Sequence, residues 1–151
     1  MITIRIATEA DLQEIVFMSA ESWTKSGADW WKDNSMAGVK YVTQQIKNGL
    51  VVVAESDVDG MVGYCITSRL WNKMHIDDIY VVPSNRSNSV GRMLMEWIFN
   101  SVAPDIKEIA SDCDESNELA IKFHKALGFK VVGFVADYWD GEASIFLVKK
   151  L

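Results

Sequence analysis

The sequence contains little proline and little cysteine. Only two of its 151 residues are prolines and two are cysteines, whereas 49% are hydrophobic. This composition excludes a disordered or collagen-like chain and predicts a single folded domain over residues 1–151. Cys65 and Cys113 stand in neither a metal-ligand nor a redox spacing. We therefore predict two reduced, buried small side chains, with no disulfide and no metal site.

Long hydrophobic runs and an excess of positive charge are also missing. The longest aliphatic run, at residues 50–54, is far shorter than the roughly 20 residues that span a bilayer, and residues 1–6 lack a signal-peptide pattern. We therefore expect a cytoplasmic protein that has no membrane partner. The 21 acidic and 15 basic residues give a net charge of -6. This sign argues against general nucleic-acid binding and weakly favours cationic partners.

Hydrophobic periodicity predicts a mixed α/β fold with the element order β-α-α-β-β-β-α-β-α-β-β. The predicted strands cover residues 2–6, 50–55, 61–69, 74–82, 108–113, 130–137 and 142–149. The predicted helices cover residues 8–23, 35–49, 90–98 and 116–127, and residues 26–34 are predicted as a loop. This order requires a sheet with at least one parallel crossover.

The segment at residues 79–92 predicts an anion-binding turn. A strand ends at residues 79–83, and the small polar residues 84–89 lead into a helix that opens with Val90 and Gly91. Unpaired amides at a helix start and the helix dipole favour a pyrophosphate, and Arg86 and Arg92 add positive charge. The Walker lysine and the dinucleotide fingerprint are absent, which disfavours nucleotide hydrolysis and nicotinamide binding. The alternative is an ordinary polar loop.

The helix predicted at residues 117–127 has a core face, a solvent face and a third face. The core face comprises Leu119, Phe123, Ala126 and Leu127. The solvent face comprises Glu118, Lys122 and Lys125. The third face comprises Asn117, Ala120, Ile121 and His124. On the third face, Asn117 and His124 stand about 10 Å apart along the axis. This face suits an elongated ligand. The alternative is a capping asparagine and a buried histidine with satisfied hydrogen bonds.

Together the two segments resemble the motifs of the GCN5-related N-acetyltransferase (GNAT) family. The family pattern Val-x-Pro and Arg-x-x-Gly-x-Gly is matched by Val81, Val82, Pro83 and by Arg86, Ser87, Asn88, Ser89, Val90, Gly91. The pattern Asn-x-x-Ala-x-x-Leu-Tyr-x-x-x-Gly-Phe is matched by Asn117, Ala120, Phe123, His124, Gly128 and Phe129. The predicted element order matches the family from end to end, so the resemblance implies the GNAT fold.

The resemblance implies acetyl transfer from acetyl-coenzyme A to a primary amine by direct attack on the thioester, without a metal. The cofactor would lie where residues 79–81 splay from the strand at residues 108–113, and the Val81 amide would hold the oxyanion. His124 stands where many members have a tyrosine that protonates the leaving thiolate. The implied cofactor-binding residues are Ile79, Tyr80, Val81, Arg86, Ser87, Asn88, Ser89, Val90, Gly91, Arg92 and Asn117.

The sequence departs from the family pattern at two kinds of position. Ser89 replaces the usual glycine and Ser87 is also unusual, and serine costs about 1 kcal/mol wherever the backbone needs a positive φ. His124 replaces tyrosine, so the acid would be a group that normally titrates near 6.5 rather than near 10. This replacement leaves a non-catalytic acyl-coenzyme A sensor as an alternative function.

The acceptor amine is suggested by a narrower resemblance. Ala110, Ser111 and Asp112, followed by Asn117 and His124, are similar to the aminoglycoside 6'-N-acetyltransferases. That likeness implies that Asp112 and Asp77 contact the substrate. We therefore expect a cationic small molecule such as an aminoglycoside or a polyamine. Residues 138–142 instead resemble the hairpin of ribosomal-protein N-terminal acetyltransferases, so a peptide or protein acceptor stays open.

Carboxylates and aromatic residues near the predicted strand ends complete the candidate site. Asp112 is a candidate general base, and Asp77 and Asp137 are candidate anchors, although a solvated acidic rim is the alternative. Trp23 and Tyr138 are candidate substrate contacts, because aromatic faces attract cations. Packing in the core or in a homodimer is the alternative for the tryptophans.

Overall fold

The fold alternates strands and helices in a computed structural model that describes residues 1–24, 35–139 and 141–151. Its strands are β1 (Ile2–Ile6), β2 (Val51–Ser56), β3 (Gly60–Leu70), β4 (Lys73–Val81), β5 (Glu108–Asp114), β6 (Lys130–Trp139) and β7 (Glu142–Lys150). Its α-helices are α1 (Leu12–Thr24), α2 (Ser35–Lys47), α3 (Val90–Ser101) and α4 (Glu118–Ala126). Short 3₁₀ turns occupy Glu9–Asp11 and Pro83–Asn88.

The strands form one seven-stranded sheet in the order β1-β2-β3-β4-β5-β7-β6. β4 and β5 are parallel, with Lys73–Ile76 paired to Glu108–Ser111, and α3 lies in the connection between them. The neighbouring pairs β1·β2, β2·β3, β5·β7 and β6·β7 are antiparallel. The predicted mixed α/β fold, its element order and its parallel crossover are therefore confirmed. The loop predicted at residues 26–34 lies outside the described residues.

Contacts within the chain divide it into two compact units. Unit 1 comprises Met1–Thr67 and Asp78–Asn100, and unit 2 comprises Ser68–Asp77 and Ser101–Leu151. In unit 1, Ile15 and Met18 of α1 and Val42 and Ile46 of α2 recur at helical spacing and are buried. They pack with apolar residues of β2, β3 and β4, because each helix must bury its apolar face against another element.

The first helical segment begins with a capping box formed by Thr8 and Asp11. The Thr8 backbone N–H donates to the Asp11 carboxylate at 2.7 Å, and two guanidinium nitrogens of Arg5 bind both Asp11 oxygens at 2.8 and 2.9 Å. The Arg5 guanidinium lowers the pKa of Asp11 below its usual range, against the opposing effect of burial. These bonds join the start of the segment to Arg5 of β1.

In unit 2, helix α4 is rotated relative to the predicted core face. Leu119, assigned to the core, is 80% exposed, and Ala126 is also exposed, whereas His124 is only 3% exposed. The sequence-based assignment of Leu119 and Ala126 to the core is therefore wrong. The physical reason is that His124 finds hydrogen-bond partners inside and packs edge-on against Phe129 at 5.1 Å. Leu127 is buried as predicted.

Gly128 marks the end of α4, and the two cysteines differ in burial. Gly128 ends α4 with φ +92°, and its N–H donates to the Lys125 carbonyl, as expected of a glycine after a helix. Both cysteines are reduced; Cys65 is buried, but Cys113 is only half-buried, so the prediction of two buried side chains is wrong for Cys113. Among the described residues, no helix is long and apolar enough to cross a membrane.

Gly63 should be one of the least substitutable positions in unit 1. A Cβ there would lie 2.7 Å from the Tyr80 carbonyl oxygen and 3.2 Å from Cγ2 of Val81, closer than packed atoms approach. We expect Gly63→Ala to lower the free energy of unfolding by about 2 kcal/mol in urea denaturation. Gly133→Ala is the matched control, because its Cβ would meet the nearest atom at 3.8 Å. Equal losses for the two variants would contradict this account.

Candidate active site

The turn between β4 and α3 is a 3₁₀ turn followed by one left-handed residue. β4 ends at Val81, the 3₁₀ turn follows, and Ser89 then adopts a left-handed conformation with φ 60° and ψ 16°. The backbone thus enters α3 by a sharp reversal at Ser89, where a serine costs about 1 kcal/mol relative to glycine. Ser87 lies within the 3₁₀ turn, a right-handed conformation that any residue adopts.

Arg86 folds back onto the end of β4. Its Nε donates to the Val81 carbonyl at 2.9 Å, and its guanidinium carbon lies 5.5 Å from the centroid of the Tyr80 ring. Arg92 on the first turn of α3 lies 3.4 Å from Glu96 one turn later. Both arginines are exposed, so they bring positive charge to the turn as predicted, with Arg86 also stabilising the strand end.

Two tyrosine–carboxylate pairs in unit 1 were missed by the sequence analysis. The Tyr64 hydroxyl donates to Asp78 at 2.5 Å, and the Tyr80 hydroxyl donates to Glu21 at 3.1 Å. Burial and the neighbouring carboxylate raise the pKa of each phenol above its usual range. Both hydroxyls therefore stay protonated and act as donors. Because Glu21 is 59 residues from Tyr80 in the chain, no local sequence pattern predicts that pair.

His124 is held from both sides in unit 2. Its Nδ1 lies 2.7 Å from the Ala120 carbonyl, and its Nε2 lies 2.8 Å from the Ser111 hydroxyl. A carbonyl only accepts, so Nδ1 carries the proton and Nε2 of the neutral ring accepts from Ser111. Burial lowers the pKa of His124, which favours this neutral form. Asn117 caps the same helix, its side-chain oxygen accepting from the Ala120 N–H at 3.1 Å.

His75, which the sequence analysis did not select, stands between the two predicted acceptor anchors. Its Nδ1 lies 2.7 Å from Asp77 Oδ1, and its Nε2 lies 3.1 Å from Asp112 Oδ1. Burial lowers the pKa of His75, but the hydrogen bonds to Asp112 and Asp77 outweigh that effect and raise it to about 9. The signal that marks His75 is its position two residues before Asp77, on the same face of a strand.

The Asp112 carboxylate accepts hydrogen bonds from side chains on three other strands. Besides His75 on β4, its carboxylate accepts from Ser144 of β7 at 3.2 Å and from the Trp139 indole of β6 at 3.5 Å. Burial raises the pKa of Asp112, but the bonds from His75, Trp139 and Ser144 prevail and lower it. The structure therefore brings the predicted residues Asp77 and Asp112 together through one histidine.

Of the remaining predicted contacts, Asp137 and Tyr138 lie near the end of β6, and one side chain lies outside the described residues. Asp137 is exposed and accepts from the Gly141 N–H at 2.7 Å, which closes the last hairpin. Tyr138 packs edge-on against Trp139 and Phe146, with ring centroids at 4.9 and 5.0 Å. The Trp23 side chain lies outside the described residues. Within residues 1–24, 35–139 and 141–151, no group of three or more His, Cys, Asp or Glu side chains is arranged to hold a metal ion.

The sequence of the chain matches a known protein family. The sequence pattern of the Acetyltransferase (GNAT) family matches residues 14–129. The chain belongs to the GNAT family. That result confirms the family resemblance predicted from the two motifs, whereas the narrower likeness to aminoglycoside-modifying members stays a prediction.

Individual GNAT proteins are similar to the chain in sequence or in fold. The peptidyl-lysine N-acetyltransferase YjaB of Escherichia coli is 37% identical over 81 residues, which are 54% of this chain and 50% of YjaB. The chain thus spans about half the length of the curated relatives it matches. Ard1 from Thermoplasma volcanium superposes with a TM-score of 0.82 at 17% identity, covering 99% of this chain and 97% of Ard1. The PaiA N-acetyltransferase from Thermoplasma acidophilum, solved with coenzyme A, gives 0.79 at 21% identity, covering 100% and 99%.

The hydrogen bonds from the protonated His75 ring to two carboxylates should make the stability of this GNAT protein depend on pH. A pKa near 9 in the folded chain, against about 6.5 unfolded, means that the stabilisation is complete below pH 6.5 and is lost as the pH rises through 9. His75→Asn should therefore cost on the order of 1–2 kcal/mol at pH 6, after solvent screening of a ring that is 36% exposed, and little at pH 9.5. Urea unfolding at the two pH values measures this difference.

The control for that measurement is Lys73→Gln, which removes a positive charge from the same strand. Lys73 pairs with Glu108 at 3.0 Å, outside the histidine cluster. Its effect on the free energy of unfolding should be small and the same at pH 6 and pH 9.5. A cost of His75→Asn that does not change with pH would show that the ring is not held as a cation.

Proposed function

We propose that the chain is an acetyl-coenzyme A-dependent N-acetyltransferase that acetylates a primary amine by direct attack on the thioester. Membership of the GNAT family supports this proposal. The observation that carries it is the turn between β4 and α3, where the left-handed Ser89 directs the backbone into the helix. A structural neighbour with the same fold was solved with coenzyme A, which supports coenzyme A as the cofactor.

In this proposal the cofactor is held mainly by backbone groups. Amides at the start of α3 meet the pyrophosphate, because they have no partners within the helix and the dipole favours negative charge there. Main-chain groups of β4 bind the pantetheine arm, and the Val81 amide meets the oxyanion. In unit 1, the proposed cofactor-binding residues are Ile79, Tyr80, Val81, Arg86, Ser87, Asn88, Ser89, Val90, Gly91 and Arg92.

Direct transfer is supported by the state of the cysteines. Burial raises the pKa of the Cys113 thiol to about 11, so it is protonated at neutral pH, and Cys65 is completely buried. Neither thiol is therefore activated to form an acyl-enzyme. The amine nitrogen instead forms a bond to the acetyl carbon while the carbon–sulfur bond breaks. The proton lost by the amine goes to a base, for which we propose Asp112, and the departing thiolate takes up a proton.

His124 is the proposed acid for the thiolate, because it stands at the family's acid position. The neutral ring donates its only N–H to Ala120, so it must first gain a proton at Nε2 and pass it through the Ser111 hydroxyl. Its lowered pKa makes that protonated form scarce at neutral pH. This arrangement also favours the second candidate function, a sensor that binds acyl-coenzyme A without turnover, because His124 then serves only to join α4 to β5.

Two acceptor classes follow from different observations. The sequence predicts a polycationic small amine, anchored by Asp77 and Asp112. The lysine side chain is the alternative, because the relative that is 37% identical is a peptidyl-lysine N-acetyltransferase. Both are primary amines. Thiol release from acetyl-coenzyme A, measured over a panel of amines, tests the proposed activity; no release with any amine, despite tight cofactor binding, would favour the sensor.

Gly91→Asp should abolish coenzyme A binding. The substitution places a side chain and a negative charge on the first turn of α3, where the pyrophosphate is proposed to lie. Isothermal titration calorimetry should give a dissociation constant at least about 100-fold weaker than for the unchanged chain. Asn100→Asp, at the exposed far end of the same helix, is the control for added charge. Undiminished binding by Gly91→Asp would rule out this turn as the phosphate site.

Replacement of His124 should affect turnover far more than cofactor binding. We expect His124→Ala to lower turnover by roughly 10²-fold, with the dissociation constant for coenzyme A changed little. His124→Tyr introduces the residue that the family resemblance places there and should retain more activity than His124→Ala. Urea unfolding of each variant separates loss of the acid from loss of the buried bonds to Ser111 and Ala120. Unchanged turnover in a folded His124→Ala would assign the proton to water or to Tyr138.

A further inference from the structure

The cluster around Asp112 contains an internal cation at the position where a substrate ammonium was expected. His75 has a carboxylate oxygen on each ring nitrogen, at 2.7 Å from Asp77 and 3.1 Å from Asp112. An ionised carboxylate only accepts hydrogen bonds, so each ring nitrogen must carry a proton to bond it. A ring with both nitrogens protonated is an imidazolium. With both carboxylates ionised, this geometry makes His75 a positive group.

This cation changes the charge that the cluster presents. Asp77 and Asp112 contribute two negative charges and His75 contributes one positive charge, so these three side chains together carry one net negative charge. Asp77 also accepts from the Ser68 hydroxyl at 2.8 Å, and Asp112 accepts from Ser144 and Trp139. These donors are neutral and leave the sum unchanged.

We propose that His75 is a specificity-determining residue that compensates one of the two carboxylates, so that the site selects acceptors with a single ammonium group. The proposal rests on the proposed function, in which Asp77 and Asp112 meet the acceptor. A lysine side chain or another monoamine matches one net negative charge. The second ammonium of a polyamine meets a carboxylate that is already paired and is repelled by the imidazolium, and like charges in contact disfavour a partner strongly.

The test compares two acceptors in the same enzyme. Spermidine carries several ammonium groups, and a lysine blocked at its backbone amine and carboxyl carries one. The unchanged chain should acetylate the blocked lysine with the higher kcat/KM. His75→Asn should shift the ratio of the two kcat/KM values toward spermidine by about tenfold, because it restores the second negative charge. His75→Asn also removes a hydrogen bond from Asp112, the proposed base. That loss lowers the rates with both acceptors and therefore cancels in the ratio.

Two further variants keep the result interpretable. Lys73→Gln removes one positive charge from the same strand outside the cluster and should leave the ratio unchanged. His75→Gln repeats the test with a longer neutral side chain, in case His75→Asn does not fold. A ratio that stays constant in the folded His75 variants, or that moves equally in Lys73→Gln, overturns the proposal.

Nitrogen NMR of the histidine rings provides a readout that does not depend on activity. Both ring nitrogens of His75 should be protonated at pH 7.5, whereas those of His124 should show one protonated and one unprotonated nitrogen. An unprotonated nitrogen on His75 overturns the proposal. If the unchanged chain acetylates no amine, the proposed function fails and the specificity proposal fails with it; an active chain with an unchanged ratio overturns the specificity proposal alone.

Discussion

The organisation of unit 2 depends on how one half-buried carboxylate is satisfied. Removing a carboxylate from water is costly unless hydrogen bonds or an opposite charge replace its hydration. Asp112 receives a charged donor from β4, a hydroxyl from β7 and an indole N–H from β6. Those three strands and β5 are thereby tied to a single side chain. The same requirement explains why a histidine, which can donate from two nitrogens at once, stands between Asp77 and Asp112.

Polar groups rather than apolar ones also determine how α4 meets the sheet. An apolar side chain at position 124 would gain area by burial, but His124 gains two directed bonds and an edge-on contact with Phe129. Directed bonds define one rotation of the helix, whereas apolar contacts tolerate several. That is why Leu119 is exposed although it is the more hydrophobic residue. In unit 1, backbone geometry constrains the local structure at two positions. Ser89 adopts a left-handed conformation, and Gly63 lies close to the backbone of Tyr80.

The sequence predicted the strands and helices to within a few residues because their hydrophobic periods are regular. β2 has four consecutive buried residues and was recognisable as an aliphatic run, and α3 has a clear apolar face. The turn before α3 was located from its polar residues and its arginines. The His75 cluster was not found, because Asp77 and Asp112 lie 35 residues apart and only the parallel pairing of β4 with β5 places them near one ring. The core face of α4 was predicted wrongly because a pattern of hydrophobic residues contains no information about the hydrogen bonds of a buried histidine.

The two histidines of the chain differ in charge but share a chemical consequence. Acylating and alkylating reagents attack the lone pair of an unprotonated imidazole nitrogen. His75 offers no such lone pair while both nitrogens bond carboxylates, and the only one on His124 points at Ser111 in the interior. In the native chain, electrophiles of this kind are therefore excluded from the first ring by its protons and from the second by its packing. Modification of His124 thus becomes a marker of local opening beneath α4, whereas modification of His75 reports the loss of a ring proton as the pH rises toward 9.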